Sequence, residues 1–152
     1  MGKMKATITQ RFVNEHGVAF DVDCDCRFLF FCQREDDRDG AWRAKYVKLI
    51  YEKDKVVPVD GHSAPVFSQD VLDRLPEGYK YLGAAQAALG YDIDLLLATV
   101  QDHSSYFRMY SCMEKWLAGQ DPELFWEHEL APPAQAEKPQ QQQQQPQPQA
   151  RL

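Results

Sequence analysis

Residues 18–32, which read VAFDVDCDCRFLFFC, alternate in polarity and decide the fold of this chain. Every even position of this stretch is apolar, whereas odd positions include Asp21, Asp23 and Asp25. Successive side chains on a strand point to opposite faces, so the alternation predicts one apolar face and one polar face. A strand of this length is about two to three times longer than usual. We expect such a strand to bend and to need a helix or a ligand on its apolar face.

Two further strands flank this segment. Residues 4–13 alternate in the same way and predict a first strand, which a compact turn at residues 14–17 joins to the long strand. A charged loop at residues 33–40 then leads to a third strand at residues 42–52, which is rich in aromatic and β-branched residues. Three antiparallel strands in chain order predict a meander.

Single residues indicate where the third strand ends and which aromatic side chains belong to the core. Asp54 is expected to turn the chain, and residues 55–59 are expected to form a short edge strand, where Pro58 is tolerated. We also expect Phe28 and Trp42 to belong to the core between the sheet and the helices.

The second half of the chain changes to helical periodicity. Capping and terminating residues delimit the predicted helices. They are residues 69–75 after Ser68, residues 79–89 before Gly90, and residues 102–118 with Asp102 as the cap, with a last turn or short helix in residues 121–130. The longest helix carries an apolar stripe of Tyr106, Tyr110, Met113, Trp116 and Leu117, and residues 91–99 are interpreted as a short strand or an extended packing segment.

Composition and charge exclude several classes of protein. The 152 residues suffice for one domain with a real core, which we place at residues 1–130. The remaining residues, 131–152, are rich in Pro and Gln and are predicted to be a disordered tail. A net charge of -6 without a basic stripe argues against nucleic acid. No apolar run approaches the ~20 residues that span a bilayer, and no signal-peptide core is recognisable at the amino terminus.

The four cysteines do not predict a disulfide scaffold. Cys24, Cys26 and Cys32 share one face of one strand, where neighbours two residues apart are poorly placed to bridge. A zinc site at Cys24 and Cys26 lacks a second pair of ligands at metal-like spacing. Buried, reduced thiols are the favoured interpretation, and they indicate a cytoplasmic protein.

Several strings of residues resemble a known family. The loop and strand DGAWR at 39–43, YEKDK at 51–55, PEGYKYL at 76–82 and WLAG at 116–119 resemble fungal SnoaL-like proteins of the nuclear-transport-factor-2-like superfamily. The resemblance implies an α+β cone, a strongly curved antiparallel sheet packed on C-terminal helices around a pocket. It departs from the family in one respect, because members usually begin with helices that this chain lacks before its first strand.

The resemblance implies a cofactor-free lyase, isomerase or cyclase that acts on an aromatic or polyketide-derived substrate of secondary metabolism. Acid–base chemistry of that kind needs titratable groups in an apolar cavity. The candidate catalytic residues are Asp102, His103, Tyr46 and Tyr106, and the candidate pocket residues are Phe28, Phe30, Trp42 and Tyr110. No cofactor and no metal is expected.

Simpler interpretations stand beside these candidates. Asp102 is also a helix cap and His103 a solvated first-turn residue, and the tyrosines are also amphipathic core aromatics. His62 lies next to Asp60 and Ser63, but adjacent residues rarely form a catalytic triad. The three aspartates at odd positions are interpreted as a solvated face paired in part with Lys45 or Lys48. The alternative function is therefore a non-catalytic module that binds a hydrophobic small molecule or forms a homodimer.

Overall fold

The computed structural model describes residues 1–35 and 40–126 and shows an α+β protein. Three strands come first in the chain and the helices follow, as the sequence predicts. The elements are the strands β1 (Gly2–Val13), β2 (Ala19–Arg34) and β3 (Trp42–Pro58), the helix α1 (Gln69–Leu72), a 3₁₀ turn (Glu77–Tyr79), and the helices α2 (Lys80–Ala88) and α3 (His103–Leu117).

The strands form one antiparallel sheet in the order β1-β2-β3, which confirms the predicted meander. In the first hairpin turn the side-chain oxygen of Asn14 accepts the backbone N–H groups of His16 and Val18, at 3.0 and 2.9 Å. Gly17 follows with φ +76°, a conformation that side chains with a Cβ rarely adopt. The second connection lies partly outside the described residues, at positions 36–39.

The strand β2 buries different faces in its two halves. Up to Cys26 the even positions are buried, whereas beyond Arg27 the fully buried residues are Leu29 and Phe31, at odd positions. The predicted single apolar face is therefore wrong for the second half. The reason is that one helix covers each half, and the two helices lie on opposite sides of the sheet.

The two sides hold separate hydrophobic clusters. On the α2 side the cluster joins the first half of β2 to the 3₁₀ turn and α2. Its buried members are Phe12, Phe20, Val22, Cys24, Cys26, Tyr79, Leu82 and Ala85. On the α3 side the cluster joins the second half of β2 to α3 and the segment after it. Its buried members are Leu29, Phe31, Ile50, Ala98, Met109, Cys112, Met113, Leu124 and Trp126.

Two irregularities interrupt the pairing of β2 with β3. Asp25 pairs with Lys53 but Cys26 pairs with Tyr51, so Glu52 is an extra residue on β3. A second shift between Phe31 and Cys32 leaves Lys45 extra in the same way. Such bulges bend a strand and increase its twist, which lets a long sheet follow two helices.

Asp54 does not turn the chain, because β3 continues through it to Pro58 and includes the expected edge strand. Its half-buried carboxylate lies on the α2 side and accepts the backbone N–H of Leu82 at 2.7 Å. No local side chain caps α2, so Asp54 satisfies one of its free N–H groups from a distance. Burial raises the pKa of the Asp54 carboxyl, and the backbone bonds only partly offset this.

The helices follow the predicted signals with shorter bounds. Asp102 caps α3 by accepting the N–H of Ser104 at 3.0 Å, and Gly90 ends the α2 region with φ +86°. Ser68 precedes α1 but makes no side-chain capping bond. The buried stripe of α3 is centred on Met109, Cys112 and Met113, and the predicted member Leu117 is exposed.

Residues 91–99 form no strand of their own, and only their last residues pair with β3. Thr99 makes an isolated parallel bridge to Tyr51, whose N–H donates to Ala98 O at 2.9 Å. The predicted helical turn in residues 121–130 is described only to Trp126. The proposed domain boundary after residue 130 and the tail 131–152 lie outside the described residues. None of the described helices is long and apolar enough to cross a bilayer.

Exposure distinguishes two aromatic residues of the sheet, and it leaves Phe28, which the sequence places in the core, half-buried on the α2 side. Phe31 is fully buried on the α3 side, whereas Trp42 is 71% exposed, which contradicts its predicted core position. We predict that Phe31→Ala lowers the free energy of unfolding by about 3–5 kcal/mol, because it leaves a cavity. Trp42→Ala should change it by less than about 0.5 kcal/mol. Urea denaturation measures both, and equal losses would contradict the burial of opposite faces.

The half-buried carboxylate of Asp54 gives a second prediction. Asp54→Ala should lower the free energy of unfolding by about 1–2 kcal/mol through loss of the α2 cap, whereas Asp54→Asn keeps an acceptor. Because the pKa of Asp54 is raised above 3.8, its contribution to stability is complete below that value and is lost as pH rises through the raised pKa. The Asn variant should therefore gain stability relative to wild type between acidic and neutral pH. A pH-independent difference in urea denaturation would contradict this.

Candidate functional site

A cavity lies at the turn end of the β1–β2 hairpin, on the α2 side. Its volume is about 540 Å³. We call it the hairpin pocket. The lining comes from three segments, namely the hairpin with Phe12, Val13, Asn14, Glu15, His16, Val18 and Phe20, the loop with Ala64, Pro65, Val66 and Phe67, and α2 with Ala85, Ala88 and Leu89.

Aromatic packing forms the floor of the hairpin pocket. Phe12 and Phe20 pair across the hairpin with stacked rings 5.6 Å apart, and Phe67 meets Phe20 edge to face at 6.0 Å. The facing end of α2 contributes the small side chains Ala85 and Ala88. Large aromatics opposite small residues leave a space between the hairpin and the helix, and that space is mainly apolar.

Polar groups of the hairpin pocket lie at its mouth. The Asn14 side chain is engaged in the turn, and the Nε2 atom of His16 lies 3.5 Å from a carboxylate oxygen of Glu15. The side chains of His16 and Glu15 are 77% and 87% exposed, so they lie in solvent rather than inside the cavity. The pocket therefore has the character of a binding cavity.

The four candidate catalytic residues lie outside the hairpin pocket. Asp102 caps α3, and a hydrogen bond with Ser105 lowers the pKa of its carboxyl. His103 is exposed in the first turn, with its ring 6.3 Å from that of Phe107. Tyr46 packs edge-on against Trp116, with ring centroids 5.9 Å apart. The simpler interpretations given above account for these three side chains.

Tyr106 and Tyr110 are brought together by one turn of α3 and meet Arg27 of β2. The Arg27 guanidinium donates to Tyr106 Oη at 3.1 Å and to Tyr110 Oη at 3.4 Å. It also forms an ion pair with Glu52. The hydrogen bond from Tyr106, together with the nearby charges of Arg27 and Lys3, lowers the pKa of the Tyr110 phenol.

The candidate pocket residues are split between the two faces of the sheet. Phe28 and Phe30 stack with ring centroids 6.2 Å apart on the α2 side, where Trp42 also lies through its pairing with Arg34. Tyr110 covers the opposite side. These four residues therefore do not line one cavity.

The carboxylates on the polar face of β2 are paired, as the sequence predicts, but the lysines that pair with them differ from the predicted ones. Arg11 binds Asp21 at 2.8 Å, and Thr9 and Thr7 donate to Asp23 and Asp25 at 2.7 and 2.6 Å. The lysines on β3 that face these carboxylates are Lys55, 3.6 Å from Asp23, and Lys53, 3.7 Å from Asp25, rather than Lys45 or Lys48. This surface is a network of neutralised charges.

The cysteines are free thiols, and one pair is close. Cys24 and Cys26 are buried beneath α2 with their sulfur atoms 3.8 Å apart. Their mutual hydrogen bond and burial raise the pKa of the Cys24 thiol. Within residues 1–35 and 40–126, no three His, Cys, Asp or Glu side chains converge as a metal site would require. His62 lies in an exposed turn in which Asp60 accepts the N–H groups of His62 and Ser63.

The sequence did not predict the hairpin pocket. The only signals for it were two phenylalanines flanking the turn, Phe12 and Phe20, and the alanine-rich end of the second predicted helix. Neither signal shows that a loop from residues 64–67 closes the third side. Arg27 was likewise overlooked, although it is the one cation among the carboxylates of the odd positions.

The fold and this site define a small α+β protein with a three-stranded meander, and no known family model matches it. The chain is 38% identical over 129 residues to "Pea pathogenicity protein 2" of Fusarium vanettenii, covering 80% of this chain and 54% of that protein. A PEP2-like protein of the same fungus is 35% identical over 129 residues, with the same coverage. A protein of Emericella nidulans is 36% identical over 133 residues, covering 78% of this chain and 53% of its own length.

The homologues of this chain are thus fungal proteins of the Pea pathogenicity protein 2 type. The chain spans about half the length of the curated relatives it matches.

Proposed function

We propose that this chain binds a hydrophobic small molecule in the hairpin pocket. The observation that carries the proposal is the cavity itself. Its volume of about 540 Å³ falls within the range of about 300–1,000 Å³ that small-molecule sites occupy. Its walls are mainly aromatic and aliphatic, which favours an apolar or aromatic ligand.

Binding without turnover is the better supported form of this function. A general base must reach the proton that it removes within hydrogen-bond distance. Among the described residues, the titratable groups that line the pocket are Glu15 and His16, both largely exposed at its mouth. The candidate acids and bases Asp102 and His103 belong to α3 instead. These positions support a binding role over a lyase, isomerase or cyclase.

The resemblance to SnoaL-like proteins enters as part of the proposal. It is supported by a long, bulged antiparallel sheet with helices following it, and by an apolar cavity beside one helix. A cone closed around that cavity is the finer form of this proposal. The name of one relative connects that protein with pathogenicity on pea. For this chain we propose only the narrower role, capture of an apolar or polyketide-like compound.

A substitution that fills the hairpin pocket tests the proposal. Ala88 lines the cavity at the exposed end of α2, so Ala88→Trp should occupy the space without disturbing the core. We predict saturable binding of a neutral fluorescent probe, 1-aminoanthracene, to the wild-type chain. Ala88→Trp should weaken it about tenfold, through the loss of roughly 1.4 kcal/mol of contact energy.

Ala87→Trp is the matched control. Ala87 is the preceding residue of α2, is equally exposed and does not line the cavity. Its variant should bind the probe like wild type. Probe binding that both variants weaken alike, or the absence of saturable binding to the wild type, would contradict the proposed function.

A second candidate function is homodimerisation through the uncovered part of the α2 side. Met4 pairs with Phe28, and Val47 pairs with Phe30, so the four side chains share one surface of the sheet. Met4 is 48% exposed and Val47 46% exposed. An exposed apolar surface on a sheet favours a covering partner, and a second copy of the chain offers the same surface in return.

A charge in this surface tests dimerisation. We predict that the wild-type chain scatters light as a dimer and that Val47→Lys, which buries an ammonium in the interface, is monomeric at the same concentration. Val71→Lys, on α1 and away from this surface, is the control and should remain dimeric. Monomeric wild-type protein in size-exclusion chromatography with light scattering would exclude this candidate.

A further inference from the structure

A second concave site lies on the α3 side of the sheet, remote from the hairpin pocket. Two strands and one helix surround a cavity of about 240 Å³. Its lining residues are Lys3, Met4 and Lys5 of β1, Arg27 and Leu29 of β2, and Tyr110 of α3. Three of these six residues are cationic, in a chain whose formal net charge is -6.

The strand register holds the cations close together. Lys5 pairs directly with Arg27 across β1 and β2, an arrangement in which like charges repel. Glu52 relieves this repulsion, because its carboxylate forms an ion pair with Arg27 and binds Lys5 Nζ at 3.1 Å. It is the extra residue of the β3 bulge, which places it between the two. Lys3, by contrast, has no carboxylate partner within the described residues, and its ammonium lies 4.8 Å from the centre of the Tyr110 ring.

The hydroxyl of Tyr110 is a hydrogen-bond donor that remains available for a ligand. Its oxygen receives hydrogen bonds from Arg27 and Tyr106, each at 3.4 Å. Its own proton finds no acceptor in residues 1–35 and 40–126. The cavity thus combines a free O–H, one ammonium without a carboxylate, and a second ammonium whose single carboxylate contact leaves further protons to donate.

We propose that Lys3, Lys5, Arg27 and Tyr110 form a binding site for an anionic group, a carboxylate or a phosphate of a small molecule. Hydrogen bonds between charged donors and an anion are stronger than hydrogen bonds between neutral groups. Three donors line the cavity and fix the position of the anion, namely the ammonium groups of Lys3 and Lys5 and the hydroxyl of Tyr110. Arg27 adds a further positive charge. The excess of two positive charges over Glu52 selects an anion over a cation or a neutral ligand. We call this arrangement the anion cradle.

The anion cradle differs from the proposed hairpin pocket in face, charge and ligand class. It lies where the covered half of the α3 side meets the polar half, so an anion there is partly shielded from water by Tyr106 and Tyr110. Other lysines on this side of the sheet differ from Lys3 because they lie opposite carboxylates. Lys53 and Lys55, for example, each face an aspartate.

Titration with two simple anions tests the site on the full chain. Sodium phosphate and sodium benzoate are added separately at low and constant ionic strength, and backbone amide shifts are followed by NMR. We expect saturable shifts at Lys3, Lys5, Arg27 and Tyr110. The double variant Lys3→Gln/Lys5→Gln should weaken binding about tenfold, as expected for the loss of two charge-assisted donors.

The matched control is Lys53→Gln/Lys55→Gln, which removes two charges from the same side of the sheet. It should leave the affinity for either anion unchanged. If phosphate alone binds, the ligand is a phosphate compound; if benzoate alone binds, it is a carboxylic acid. Absence of saturation with both anions, or equal weakening in the control, overturns the proposal.

The phenol of Tyr110 supplies a readout that a purely structural role would not move. A bound anion beside Tyr110 disfavours its phenolate, so the near-ultraviolet titration of that tyrosine should shift to higher pH on binding. Tyr110→Phe removes the titrating group, which identifies the signal. A titration that is insensitive to an anion shown to bind would place the anion elsewhere and overturn the assignment.

Discussion

The structure depends on a single long strand that must bury opposite faces in its two halves. The even-numbered residues up to Cys26 pack against α2, and Leu29 and Phe31 pack against α3. Because neighbouring side chains point to opposite sides, one strand can serve two helices only if those helices lie diagonally across the sheet. Every other feature follows from this division, including the two bulges that adapt β3 to it.

Among residues 1–35 and 40–126, the same division leaves half of each face without a helix, and these two halves differ chemically. On the α3 side it is a surface of paired charges around Asp21, Asp23 and Asp25. On the α2 side it is an apolar surface that includes Met4 and Val47. The proposed anion cradle lies at the boundary on the first side, and Arg27 occupies the position where burial changes face. The hairpin pocket lies at the outer end of α2.

The sequence predicts much of the local structure because local signals decide it. The alternation of residues 18–32, the turn before Gly17 and the capping residue Asp102 each act within a few positions of the element they define. The run of apolar residues 28–32, apolar at even and odd positions alike, also carried the information that both faces are covered there. Periodicity alone did not reveal that the helix packed on β2 lies on one side of the sheet in the first half of the strand and on the other side in the second half.

The parts that the sequence did not predict all depend on distant contacts. Asp54 resembles a turn residue until a helix 28 positions later places its N–H group on the carboxylate. Trp42 resembles a core residue until the structure shows that its side chain is largely exposed. The hairpin pocket needs three segments that are remote in sequence. Tyr106 was found as a candidate, but its partner Arg27 became significant only through the packing of α3.

Contacts between methyl groups test the central division of β2 most directly. Nuclear Overhauser effects in a methyl-labelled sample should connect Leu29 with Met109 or Met113, and Val22 with Leu82 or Ala85, within one set of spectra. Burial of opposite faces predicts both sets of effects and no effect between Val22 and Met109. Effects from Val22 and Leu29 to the same helix would show that β2 buries a single face and would contradict the division.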